Sequence, residues 1–65
     1  MLQKLRIQNG YKQIDVAYEL KVDRSLVAKW ETGKARPSID LLMPLARLYR
    51  VSIERLLEIL TGVNA

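Results

Sequence analysis

Arg24, Ser25, Ala28 and Lys29 are the residues of this chain whose types and spacing could do chemistry together. Their positions fall on one face of an α-helix, with Val27 and Trp30 turned to the opposite side. The face offers two long cations, a hydroxyl and a methyl, and no carboxylate. A duplex major groove admits one α-helix and displays donors, acceptors and thymine methyls between its phosphate edges, so this face suits it. The planar fork of an arginine matches the O6/N7 edge of guanine, and such a pair discriminates by about 1–3 kcal/mol. An arginine at a helix start can instead hold a phosphate, so two uses are open to Arg24.

Other chemistry is poorly supplied. The chain has no cysteine and no histidine, which removes the thiolate and imidazole ligands of zinc and the commonest catalytic base. Asp15, Glu19, Asp23 and Glu31 are dispersed, and each has a simpler use as a helix cap or a helix-surface charge. The sequence contains neither a glycine-rich phosphate loop nor a nucleophile–base pair. It therefore predicts a protein that is not an enzyme and that needs no metal or cofactor.

A ridge of this kind must be held rigidly from behind. With 65 residues the chain is expected to be one domain, burying only about 60% of the surface of its unfolded state. The apolar fraction of 49% is enough for a compact core, and without disulfides the remaining outside stabiliser is oligomerisation. Charge is unevenly placed. Residues 1–36 carry eight Lys and Arg against four Asp and Glu, whereas residues 37–65 carry three of each. A basic surface on one side is the electrostatic footprint of a nucleic-acid binder, although a solvated basic face would look the same. No apolar run approaches the roughly 20 residues that span a bilayer, and Met1-Leu2-Gln3-Lys4 lacks the pattern of a secretory signal. A cytoplasmic protein is expected.

Between Gly10, Gly33, Pro37, Pro44 and Gly62 the apolar residues recur at helical spacing. The pattern predicts an all-α chain of five short helices. The first spans about Leu2–Gln8, with Gly10 as its left-handed stop. The second spans about Gln13–Leu20. The third, Arg24–Thr32, follows after Lys21-Val22-Asp23, with Asp23 as N-cap and Gly33 at its end. Ser38 caps a fourth helix to about Tyr49, and Ser52 caps a fifth over Ile53–Leu60. Pro44 strains the fourth, which is either kinked there or begins later, near Leu41. Lys12 cannot accept the free amide hydrogens of the second helix as a serine would. Two helices joined by a three-residue turn, the second with an exposed polar face, form a helix-turn-helix signature.

Ile14–Leu20, the run Val22–Lys34, Arg36-Pro37-Ser38, Val51-Ser52-Ile53 and Leu56-Leu57 together resemble the lambda-repressor-like, or XRE-type, helix-turn-helix domain over about residues 2–60. The most specific part is Trp30-Glu31-Thr32-Gly33-Lys34-Ala35-Arg36-Pro37-Ser38. The resemblance implies a compact five-helix domain in a bacterial or phage-encoded DNA-binding regulator. It implies that Arg24, Ser25, Ala28 and Lys29 read base edges. Gln13 would grip a phosphate at the start of the second helix, with Lys12 adding a cation beside it. Lys34 and Arg36 would contact backbone phosphates from their loop, and Arg6 and Glu31 would form a partly buried ion pair. Lys21 and Arg50 stand where such domains usually have glycine in a left-handed turn, at a cost of roughly 1 kcal/mol each. Ile14, Tyr18 and Leu26 are apolar where such domains are often polar, and either pack locally or touch a partner or a thymine methyl.

One short helix makes too few base contacts for specificity at genomic scale, and two-fold symmetry on a palindromic operator is the usual solution. The fifth helix offers a seam, with Leu56, Ile59, Leu60 and Val63 as an apolar stripe for a homodimer, unless Ile59 and Val63 fold back over the core. The leading expectation is a sequence-specific regulator of double-stranded DNA, acting as a repressor. The alternatives are an antitoxin-type module, gripping a toxin through Ile14, Tyr18 or the C-terminal stripe, and a helical domain that has lost DNA binding.

Overall fold

In a computed structural model that describes residues 1–62, the chain forms five helices: α1 Leu2–Gln8, α2 Gln13–Leu20, α3 Arg24–Thr32, α4 Ile39–Tyr49 and α5 Ile53–Thr61. No strand occurs among the described residues, and none of these helices is long and apolar enough to cross a membrane. The first three helices have the bounds the sequence predicts, and α5 runs one residue further. The fourth begins at Ile39, directly after its cap, and not near Leu41; it continues through Pro44. The proline nitrogen has no hydrogen to donate to the carbonyl of Asp40. Asp40 is exposed, so water is at hand for its backbone.

Each helix sends its apolar ridge to one core. Leu2 comes from α1, Val16 and Ala17 from α2, Val27 and Trp30 from α3, Leu45, Ala46 and Tyr49 from α4, and Leu56 from α5. The α2 and α3 helices pack together, α4 closes on α2 and α5, and α1 lies against α3. Leu56, expected in the seam, is 0% exposed. It belongs to the core and has no surface left for a partner. Its neighbour Leu57 is the outward leucine, at 41% exposure, while Ile59 and Leu60 are half-buried. Val63 lies outside the described residues.

Four helices end in the same way. An amide two or three residues past the end turns back to a carbonyl in the last turn: Tyr11 to Arg6 at 3.1 Å, Val22 to Ala17 at 3.0 Å, Lys34 to Lys29 at 2.9 Å and Val51 to Ala46 at 3.0 Å. This closure needs a left-handed residue just before the returning amide. Glycine serves at Gly10 and Gly33, but Lys21 (φ 58°) and Arg50 (φ 57°) take the strained conformation with a full side chain.

The helix starts are less uniform. Ser52 is an N-cap whose hydroxyl accepts the Arg55 amide at 3.0 Å. Asp23 and Ser38 occupy the cap position without a side-chain hydrogen bond. There the amides that a cap would take, those of Leu26 and Leu41, bond the main-chain carbonyls of Asp23 (3.0 Å) and Ser38 (2.9 Å) instead. At Lys12 only the reverse half of a capping box forms, with Asp15 Oδ2 accepting the Lys12 amide at 2.7 Å, because an ammonium group has nothing to accept with.

Candidate nucleic-acid interface

The α3 helix is fixed from behind by Val27 and Trp30, both buried, and α2 braces it alongside. Its outer side carries Arg24, Ser25 and Lys29, all exposed, with Ala28 half-buried between them. Asp23 turns the chain into the helix with extended backbone, so Arg24 is the first helical residue. At the other end Gly33 caps the helix in the left-handed conformation. The amides of Lys34 and Ala35 both return to the Lys29 carbonyl, at 2.9 and 3.3 Å. Pro37 is then buried, so the loop bearing exposed Lys34 and Arg36 is held at each end. Among the described residues no ion pair involves Lys12, Lys29, Lys34 or Arg36.

The residues expected to act separately as an ion pair, a phosphate contact and a base reader are joined. Arg6 donates through Nε to Glu31 Oε2 at 2.6 Å and through Nη2 to Oε1 at 3.3 Å, which ties α1 to α3. A further Arg6 hydrogen goes to the Tyr11 main-chain carbonyl at 3.0 Å. The hydrogen bond to Glu31 raises the Arg6 pKa above its already high ordinary value, against the opposing effect of burial. Gln13 Nε2 donates to the same Glu31 Oε1 at 3.0 Å, and Arg24 Nη1 donates to Gln13 Oε1 at 3.1 Å. The sequence gives no sign of the last two contacts. Only the packing of α2 on α3, which sets their first residues side by side, could have suggested them.

Two polar groups in the core lack a hydrogen-bond partner among the described residues, Trp30 Nε1 and the Tyr49 hydroxyl. Burial, helped by the negative charge of Glu31 and opposed by Arg6, holds the Tyr49 pKa far above the ordinary phenol value.

A braced helix with a free polar ridge, preceded by a tight three-residue turn and a supporting helix, defines a helix-turn-helix domain of the lambda-repressor-like class. The family model described as helix-turn-helix matches residues 2–56, and the chain belongs to that family, in its XRE-type form. The chain is similar to the HTH-type transcriptional activator BcrR of Enterococcus faecalis, 36% identical over 57 residues. That match covers 88% of this chain and 28% of the relative. No solved structure matches the chain at a comparable level.

Proposed function

We propose that this chain is a DNA-binding transcription regulator that lays α3 in the major groove of double-stranded DNA. Arg24, Ser25, Ala28 and Lys29 read base edges, and Lys12, Gln13, Lys34 and Arg36 hold phosphates. The observation that carries the reading is the free outer side of α3, exposed at Arg24, Ser25 and Lys29 while Val27 and Trp30 lock the opposite side. Family membership and a relative named a transcriptional activator support it.

The domain binds a palindromic operator as a homodimer, its recognition helices separated by about 34 Å. The surface offered for the seam is the outer side of α5, with Leu57 exposed and Ile59 and Leu60 half-buried. Repression by occupying a promoter needs nothing beyond binding, and it is the sense of regulation proposed. The test is selection of bound duplexes from random DNA, followed by a reporter carrying the selected site. A pseudo-palindrome with half-sites one turn apart and a lowered reporter signal are expected. A raised signal would reverse the sense of regulation, and failure to enrich any sequence would remove the DNA reading. Sedimentation of the parent and Leu57→Glu chains tests the seam: a monomer in both, with and without DNA, counts against the dimer.

A second reading has its own observation. On α2, Ile14 is 56% and Tyr18 is 81% exposed, four residues apart on one outer face. Neither packs into the core, which favours a protein partner such as a toxin for that face. A co-purifying protein lost on Ile14→Ser/Tyr18→Ser substitution would support it.

A further inference from the structure

We propose that the exposed face of α2 is a surface for a second copy of this chain, the two α2 helices pairing antiparallel about a two-fold axis. The inference goes beyond the reading of that face as a partner surface and is independent of the DNA-binding reading of α3.

The face has two edges. Along one stand Ile14 and Tyr18, four residues apart and 56% and 81% exposed. Along the other stand Lys12 and Glu19, two turns apart and both exposed. Among the described residues neither Lys12 nor Glu19 is in an ion pair. Tyr18 forms a ridge between two shallow hollows. One, of about 530 Å³, is bordered by Gly10, Tyr11, Ile14 and Asp15, and the other, of about 510 Å³, by Ala17, Lys21 and Val22.

A knob beside a hollow, with a cation and an anion at opposite ends, is what an isologous contact needs, because the same patch must serve both partners. Turning one α2 end for end about an axis across its middle sets Tyr18 against Ile14 of the second copy, at the mouth of the hollow beside Tyr11. The same turn keeps each edge on its own side, so Lys12 meets Glu19 of the second copy and Glu19 meets its Lys12. Both matches fall in one register, since each pair is centred at Asp15 and Val16. A partner surface of a single charge sign leaves either Lys12 or Glu19 unanswered, whereas a second copy answers both. Asp15 lies near the axis, faces its own copy and opposes the pairing. A helix of eight residues, about 12 Å long, also cannot cover the roughly 800 Å² per partner of a standard interface. The pairing is therefore weak and concentration-dependent. If Lys12 holds a phosphate on DNA, pairing and duplex compete for it.

The test is sedimentation equilibrium without DNA, so its failure and that of the DNA-binding reading are distinguishable. Chains are run up to about 1 mM, where a weak seam is populated. The Leu57→Glu chain, with the α5 surface disabled, should still associate, and adding Tyr18→Ser should abolish this. Lys12→Glu and Glu19→Lys, each alone in the Leu57→Glu background, should weaken association by about tenfold, because two attractions become two repulsions. Mixed in equal amounts, these two chains should associate about as well as Leu57→Glu alone, since every contact between positions 12 and 19 again joins opposite charges. Lys4→Glu and Glu54→Lys, the same charge changes away from α2, should show no such rescue. Thermal melting confirms that each variant folds. A Leu57→Glu chain that stays monomeric would mean that a different protein covers the face, and the inference would be overturned. Association that survives Tyr18→Ser, or a mixture no better than its components, would overturn it equally.

Discussion

Arg6 and Glu31 are 25 positions apart in sequence, yet Arg6 Nε lies 2.6 Å from Glu31 Oε2. With 9% and 5% of the two side chains exposed, neither charge has water to fall back on. Removing one partner from such a pair costs about 3–5 kcal/mol, because the other is left buried and uncompensated. At roughly 0.05–0.15 kcal/mol per residue a domain of this size holds only about 3–10 kcal/mol in total. Glu31→Ala should therefore be largely unfolded or close to it in denaturant titrations. Replacing both, as in Arg6→Met/Glu31→Leu, should recover most of the loss. A single variant that loses less than about 1 kcal/mol would mean that the pair is screened after all.

The Tyr49 hydroxyl gives the stability a dependence on alkaline pH. Its pKa is raised by burial in the folded chain, while the unfolded chain titrates near the ordinary value of about 10. Below pH about 10 the phenol is neutral in both states and its contribution is fully present. Above that the unfolded state releases the proton first, and stability is lost as pH rises toward the folded value. Tyr49→Phe should flatten that fall in melting temperature above pH 10. Because the hydroxyl has no hydrogen-bond partner to lose among the described residues, the same variant should be within about 1 kcal/mol of the parent near neutrality.

Lys21 and Arg50 hold left-handed backbone that glycine adopts without strain. Lys21→Gly and Arg50→Gly should each stabilise the domain by about 1 kcal/mol in chemical denaturation. Since the two sites lie in separate turns, their gains should add. A loss at either site would show that its side chain does more than its backbone costs.

Much of this was legible in the sequence, for identifiable reasons. Glycines and cap residues mark where helical spacing stops, so the bounds of α1, α2 and α3 could be read off, whereas the left-handed turns at Lys21 and Arg50 followed only from the family resemblance. The start of α4 was less clear, because Pro44 suggested a later beginning than its cap at Ser38 allows. Position alone did not settle whether Asp23 and Ser38 would use their side chains, since the competing acceptor is their own main chain. The assignment of Leu56 failed because Ile53, Leu56, Leu57 and Leu60 share one broad stripe. Only the shape of the core decides that Leu56 is sealed and Leu57 left out. The link from Glu31 through Gln13 to Arg24 is tertiary and leaves no trace in spacing.

On DNA, Lys34→Ala and Arg24→Ala should differ in kind. Lys34→Ala should weaken all sequences alike and lower the slope of log affinity against log salt by about one contact's worth, roughly 0.9. Arg24→Ala should alter preference at one base-pair position. Competition binding at several salt concentrations separates the two, and identical behaviour would dissolve the division between anchors and readers.

The strap from Gly33 to Pro37 is short and fastened at both ends, by the returns to Lys29 on one side and by the burial of Pro37 on the other. It therefore works as a ruler: its length sets how far the Lys34 and Arg36 charges stand from the outward ridge of α3. On the proposed reading, adding one residue between Lys34 and Pro37 would throw the phosphate contacts of the loop out of step with the base contacts of α3 along a duplex.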